Sequence, residues 1–267
     1  MPGNGGRMGT DALRRLRRSP LVAEGIPARL RALDLVLVVV ALPFALLVGA
    51  LVAVAVFLDS PGPVLYRSRR IGRGGRPFDM LKFRTMVRDG AGPPLTAKDD
   101  ERHTPLGRTL ASSRLDELPQ LWNVLRGDMR LVGPRPELEE FVREFPGEYE
   151  RILSVPPGLT GPAQVEYAWE GEILALAQAV DRVRVYRESV LPYKLAIDLA
   201  YAERHTVLGD IRLLLQTLLL PAVRIGRLLG IGTDRPRPAG RLAPAFGLVG
   251  GVLVLAALLA AEASAAL

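Results

Sequence analysis

Residues 35–58, LVLVVVALPFALLVGALVAVAVFL, run for twenty-four positions without a charge. At roughly 1.5 Å per residue this stretch makes a helix about 36 Å long, enough to cross a bilayer. It is apolar on every side, unlike the surface helix of a soluble domain. It is too long for the apolar core of a signal peptide, and Leu58-Asp59-Ser60-Pro61 is not a small-x-small cleavage site. Two features favour re-entry over spanning. Pro43 lies inside the run, where it removes one helical hydrogen bond and bends the helix. Both flanks are basic, with Arg29 and Arg31 before and Arg67, Arg69, Arg70, Arg73 and Arg76 after. A spanning helix carries its arginines mostly on one side. The expectation is a helix–break–helix hairpin that enters and leaves the same face, with spanning as the weaker alternative.

Outward from this run the chain divides into unlike pieces. Residues 1–32 read as a basic flexible tail and 33–60 as the membrane hairpin. Residues 61–206 form the main domain, 207–232 an amphipathic helix lying in the membrane interface and kinked at Pro221, and 233–267 a linker and candidate C-terminal transmembrane segment. For residues 242–261, twenty uncharged positions after Arg235, Arg237 and Arg241, spanning, interfacial and disordered readings stay open. Within the main domain, Ser60-Pro61-Gly62-Pro63 is a breaker, Val64-Leu65-Tyr66 a short strand, Gly72 to Gly75 a hairpin turn and Phe78 to Met86 a second strand. Residues 96–150 read as mostly helical, 154–165 as a Pro/Gly-rich loop, and 171–204 as a long helical stretch interrupted at Pro192.

Composition narrows the chemistry. The 267 residues include no Cys and two His, which excludes disulfides, thiolate metal sites, cysteine nucleophiles and a multi-histidine zinc site. Thirty-five basic against 28 acidic residues give a net charge of +7, which calls for an anionic partner. Nucleic acid is disfavoured, because the arginines are spread over tail, loops and membrane flanks rather than gathered with aromatics.

The dense chemistry lies in RLDELPQLWNVLRGDM, residues 114–129. Leu115, Leu118, Trp122 and Leu125 recur at helical spacing and predict one inward apolar face. Pro119 belongs in a first turn, which places Asp116 near the N-cap and Glu117 at the helix start, with Gly127 ending it. Paired carboxylates there can hold a divalent cation or supply a nucleophile and a proton acceptor; an N-cap Asp serving only the helix is the plainer alternative. Lys82 and Arg84 sit on a predicted strand. Arg130 and Arg135 follow the helix, and the prolines of Gly133-Pro134-Arg135-Pro136 present Arg135 rigidly for bidentate phosphate binding. The acidic run Asp99-Asp100-Glu101 reads as a solvated loop.

Taken in order, Lys82-Phe83-Arg84-Thr85-Met86, residues 115–129, Leu131-Val132-Gly133-Pro134-Arg135-Pro136 and Pro157-Gly158-Leu159-Thr160-Gly161 resemble the bacterial sugar transferases, monotopic polyprenyl-phosphate hexose-1-phosphate transferases, over about residues 29–220. The resemblance implies a re-entrant membrane helix and a Mg²⁺-dependent two-step reaction at the cytoplasmic face of the bacterial inner membrane. Asp116 would attack the β-phosphate of a UDP-sugar and release UMP; polyprenyl (undecaprenyl) phosphate would then take the phosphosugar, starting a polysaccharide or glycoconjugate. Glu117 would be the dyad partner, Asp116 would also touch the metal, and Lys82, Arg84, Arg114 and Arg135 would bind phosphate. The chain departs from the family pattern at Ala111, Arg114, Pro156 and Pro162, which touches nucleotide contacts and sugar choice rather than the dyad. The expected architecture is therefore a membrane-associated α/β fold: a re-entrant hairpin, a small strand hairpin, a mostly helical catalytic domain and interfacial amphipathic helices. Its partners would be a UDP-sugar, polyprenyl phosphate and the phospholipid membrane, with no nucleic acid and a homodimer left open. A non-catalytic membrane scaffold that retains the fold is the rival.

Overall fold

The computed structural model describes residues 27–87, 95–96, 100–168, 170, 174 and 182–228. Most of the tail and the whole 242–261 segment lie outside them. The chain divides into two compact units, Met1–Leu213 and Leu214–Leu267.

Helix α1, Ala28–Asp59, is 32 residues and runs unbroken through Pro43. At about 1.5 Å per residue it is about 48 Å long, longer than a bilayer core requires. The expected break is therefore a proline inside one continuous helix: losing one N–H does not end a helix whose other backbone bonds survive. The helix also starts at Ala28, inside the stretch read as tail, because Arg31 is held by the domain. Its two faces differ. Leu30, Asp34, Val38, Gly49, Val52 and Val56 are buried at helical spacing. Val36, Val40, Phe44, Leu47, Leu51, Val54 and Leu58 form an exposed apolar stripe on the opposite side.

Two antiparallel strands follow, β1 (Leu65–Ile71) and β2 (Pro77–Phe83), with Tyr66 opposite Lys82 and Leu65 opposite Phe83. The expected glycine turn joins them, and the second strand stops at Phe83, three residues short of its expected end. Helix α2 (Pro105–Ser113) starts at Thr104, whose hydroxyl accepts from the Gly107 N–H at 2.9 Å. A 3-10 turn (Leu115–Glu117), helix α3 (Gln120–Arg126) and strand β3 (Arg130–Val132) come next. Gly127 ends α3 at φ 87°, as the sequence predicts.

Helices α4 (Glu139–Glu144) and α5 (Pro146–Ile152) lead to β4 (Gly158–Thr160), parallel to β3, and α6 (Pro162–Glu166). Residues 154–165 are thus not merely a loop: Gly158 and Gly133 of the neighbouring strand segment let the backbones touch. A Cβ on Gly133 would lie 2.6 Å from the Pro156 carbonyl oxygen, and one on Gly158 would lie 2.0 Å from the Gly133 nitrogen. Later come α7 (Arg182–Val185), a π turn (Tyr186–Val190), α8 (Leu191–Arg204) and α9 (Val207–Leu228). The interruption expected at Pro192 is this π turn, with Pro192 in the first turn of α8. Asp100, expected in a solvated loop, is buried and binds Arg102 through both carboxylate oxygens.

The main core gathers Phe141, Tyr149, Ile152, Tyr186, Leu191 and Leu195. A second cluster joins Val52 and Val56 of α1 to Phe83 and Leu110. Among the described residues the architecture is mostly helical, with two small two-stranded sheets and one helix apolar and long enough to enter a membrane.

Candidate functional site

Arg114 turns the chain sharply between α2 and the two acids. Its φ of 62° is the only positive value at a non-glycine among the described residues. The following 3-10 turn buries Asp116 and Glu117. Asp116 therefore precedes α3 by a full turn instead of capping it. The α3 faces are also the reverse of the sequence expectation. Gln120, Asn123 and Val124 are buried, whereas Leu115 and Trp122 are exposed, Trp122 by 56%. The polar face of this segment turns into the site. Its apolar residues Leu118, Leu121, Trp122 and Leu125 line a groove against α1.

Asn123 fixes α3 to strand β2. Its amide donates to the Asp79 carbonyl at 2.8 Å and its oxygen accepts from the Leu81 N–H at 3.0 Å. That contact sets Lys82, the next residue on the strand, beside the dyad. The sequence carried a signal for it, since Asn is a poor helix-interior residue unless its amide has another task.

Glu117 is saturated with cations. Its Oε1 accepts from Arg135 Nη2 at 2.6 Å, Lys82 Nζ at 3.3 Å and Arg114 Nη1 at 3.4 Å; its Oε2 accepts from Arg135 Nη1 at 3.3 Å. Burial by itself would raise its pKa, but the charges of Arg135, Lys82 and Arg114 hold it well below the usual carboxylate range. Asp116 differs. Its Oδ2 lies 3.8 Å from Lys82 Nζ, and its Oδ1 is buried with no hydrogen-bond partner. Burial raises the Asp116 pKa, and Lys82 offsets this only in part. Burial likewise lowers Lys82, against the pull of Glu117. Three cations thus face two carboxylates, and one carboxylate oxygen is left without a partner. This is a polar pocket with positive charge to spare for an anion.

Of the residues selected from sequence, Lys82, Arg114, Asp116, Glu117 and Arg135 converge here. Arg84 does not: its guanidinium binds the carbonyls of Ser60 and Pro61 at the end of α1. Alternation would put Arg84 on the face of Lys82, but the strand ends at Phe83 and Arg84 turns back to α1. Arg130, grouped with Arg135 by sequence, also goes elsewhere. It lies in a buried ion cluster with Asp34 of α1 at 2.9 Å and Asp210 at 3.0 Å. Two buried polar residues escaped sequence reading. Gln120 is fully buried with both amide atoms unpartnered. Asp198 faces the backbone N–H groups of Arg135 and Ala163; burial pushes its pKa up to about 7. Nothing in the local pattern around either marks it as buried.

Among the described residues no group of three His, Asp or Glu side chains forms a cage for a metal. That fits Mg²⁺, which keeps several waters and binds through one or two carboxylates plus substrate phosphates. The buried, unpartnered Asp116 Oδ1 is the donor on offer.

The chain belongs to the bacterial sugar transferase family, whose profile matches residues 28–223. That span contains α1, the dyad, all three cations and the Asp34–Arg130–Asp210 cluster. Among its curated relatives is a UDP-glucose:undecaprenyl-phosphate glucose-1-phosphate transferase of Caulobacter vibrioides, 36% identical over 204 residues, covering 74% of this chain and 72% of that one. A UDP-N-acetylgalactosamine-undecaprenyl-phosphate N-acetylgalactosaminephosphotransferase of Aeromonas hydrophila is 37% identical, covering 62% of this chain and 41% of that one. A UDP-glucose:undecaprenyl-phosphate glucose-1-phosphate transferase of Escherichia coli is 36% identical, covering 70% and 39%. The chain thus spans about two fifths of the length of the last two.

Proposed function

We propose that the protein moves a sugar 1-phosphate from a UDP-sugar to polyprenyl phosphate by way of a phosphosugar ester on Asp116. The single observation that carries this reading is the asymmetry of the dyad. Glu117 is tied down by three cations, while Asp116 keeps one oxygen unpartnered beside them. In the first step that carboxylate attacks the sugar-bearing phosphorus. The bond from this phosphorus to the bridging oxygen breaks, and UMP leaves with the electron pair. In the second, a phosphate oxygen of the lipid attacks the same phosphorus. The Asp116 carboxylate is released, and a polyprenyl-diphosphate sugar results. Lys82, Arg135 and Arg114 neutralise the phosphates. Glu117, held far below the usual range, is a poor proton acceptor, and its part is to fix Arg135 and Lys82. Mg²⁺, held by Asp116 together with the substrate phosphates, would supply further charge neutralisation.

The topology proposed is re-entrant, with the catalytic domain at the cytoplasmic face of the bacterial inner membrane, where UDP-sugars are found. Both ends of α1 lie against one body. Arg31 donates to the Val124 and Leu125 carbonyls and Asp34 pairs with Arg130 near its start. Val52 and Val56 pack on Phe83 and Leu110 near its end. If α1 crossed the bilayer once, the polar domain docked at both of its ends would itself have to span a hydrocarbon core of about 30 Å. The reaction would begin assembly of a polysaccharide or glycoconjugate.

A UDP-sugar panel labelled at the β-phosphate tests the chemistry. Without acceptor, one sugar is expected to leave label on the chain and release UMP in equal amount, and Asp116→Asn to do neither. Release from no sugar at all would favour the non-catalytic scaffold.

A further inference from the structure

One region of the molecule is not used by the two-step chemistry. Between α1 and α3 lies an open groove of about 540 Å³. Its α1 wall includes Leu42, Leu46 and Gly49; its opposite wall includes Phe83, Leu118 and Trp122. No charged or hydroxyl-bearing side chain lines it. A cleft this apolar open to water would be unfavourable, at about 25 cal/mol for each Å² of apolar surface left wet. Its mouth is instead continuous with apolar surface: Leu46, exposed by 63%, and Trp122, exposed by 56%, stand on its two sides.

The groove is built on the same two chain segments as the catalytic site. Leu118 and Pro119 in its wall directly follow Glu117, and Phe83 directly follows Lys82. An apolar groove thus adjoins, along both segments, the site where Lys82, Arg114 and Arg135 gather around Glu117. The ligand complementary to that shape is an amphiphile with an apolar tail and an anionic phosphate head. A bilayer phospholipid matches only half of it, since its two acyl chains and glycerol ester would have to enter a channel walled by α1 and α3 side chains.

We infer that this groove is the binding site for the isoprenoid tail of the lipid acceptor, and that it delivers the acceptor phosphate to Asp116. The inference rests on the acceptor reading given above. It also explains the reversed faces of α3. A helix with dyad chemistry on one side and an isoprenoid on the other has to bury its polar residues and expose its apolar ones.

The test separates the groove from the chemistry. Gly49→Leu and Ala50→Trp each place new side-chain volume at the α1 wall; a Cβ on Gly49 would lie at an ordinary 3.8 Å from Phe83 Cζ. In single turnover with the UDP-sugar alone, the UMP burst reports Asp116 without the acceptor. The filled variants are expected to keep that burst while the KM for a long-chain polyprenyl phosphate rises by about tenfold or more, a tenfold change being about 1.4 kcal/mol. Their KM for a two-isoprene acceptor should change far less. An unaltered long-chain KM in both variants overturns the inference. A wild-type protein with no burst overturns the covalent reading instead, and the groove is then judged by labelling alone. For that, wild-type protein in phosphatidylglycerol vesicles is irradiated with a polyprenyl phosphate carrying a diazirine in its second isoprene. Label is expected on the peptides holding Leu46 and Trp122, removed by unlabelled polyprenyl phosphate and not by extra phosphatidylglycerol. Equal competition by phosphatidylglycerol would make this a general lipid cleft, and label joining two copies of the chain would make it a subunit interface. Either result overturns the inference.

Discussion

Two of the buried ion clusters among the described residues of the first unit are built in opposite senses. The dyad cluster sets Lys82, Arg114 and Arg135 against two carboxylates and leaves Asp116 Oδ1 without a partner. The second sets one cation, Arg130, against Asp34 and Asp210, and Tyr201 closes it by donating to Asp210 Oδ1 at 2.7 Å. One has spare positive charge; the other has spare negative charge, and its Asp210 Oδ2, though without a hydrogen bond, lies 3.0 Å from Arg130 Nη2. An anionic substrate can enter only the first. The second ties the start of α1 to β3 and to the start of α9, and β3 runs directly into the Arg135 loop. A buried ion cluster is thus not a mark of catalysis by itself. The sign of its excess charge tells the two apart.

The sharpest way to break this comparison is to disable each cluster at its central residue. Asp116→Asn removes the proposed nucleophile with almost no change in shape. Sugar-phosphate transfer is expected to fall by at least about 10³-fold, with membrane association and Tm kept. Normal turnover would mean that the open oxygen is not the reacting one. Arg130→Met does the converse. It strands two buried carboxylates, and breaking a buried pair in this way costs about 3–5 kcal/mol. Tm should drop steeply, and activity should follow only through lost folded protein. The triple change Asp34→Leu, Arg130→Met, Asp210→Leu, which removes all three charges together, should recover most of that stability. If Arg130→Met instead lowers kcat at unchanged Tm, the second cluster belongs to the chemistry after all.

The sequence made much of the first cluster legible and almost none of the second. Asp116, Glu117 and Arg135 stand within twenty residues of one another, and their proline and glycine neighbours announce turns. Asp34, Arg130 and Asp210 are spread over 177 positions, and no local pattern links them. The strand hairpin was legible because alternation and glycine turns are local signals. The faces of α3 were misread for a physical reason. The pattern of apolar residues finds the side that avoids water, and beside a membrane helix that side can face outward. Arg84 was misplaced by strand alternation: it is two residues from Lys82, but the strand ends between them at Phe83, and Arg84 turns back to α1.

A third, intermediate effect links stability to pH. Asp198 is buried beside Lys194 and Glu137, and burial lifts its pKa from 3.8 to about 7. The folded protein therefore holds this proton more tightly than the unfolded chain. The stability it contributes is fully present below about pH 4 and is lost as pH rises to about 7, a loss of a few kcal/mol. Asp198→Asn should flatten that decline, so that the variant is more stable than the parent at pH 8 and equal to it at pH 4. Parallel stability curves for the two proteins across this range would rule the titration out.

The smallest effect sharpens the first cluster from within. Arg114 carries two features at once, a positive φ of 62° and a guanidinium 3.4 Å from Glu117. Left-handed backbone at an L residue costs of order 1 kcal/mol, and the side chain is 45% exposed, so its ion pair returns little stability. Arg114→Gly should therefore raise stability by up to about 1 kcal/mol. If the guanidinium serves the phosphates, the same variant should turn over about two- to tenfold more slowly. Arg114→Lys keeps a charge and the strain; Arg114→Asn tolerates the backbone and drops the charge. Slow Gly and Asn variants beside a faster Lys variant would assign the loss to charge. Equal rates in all three would mean that Lys82 and Arg135 carry the phosphate contacts alone, with Arg114 serving only to turn the chain toward the dyad.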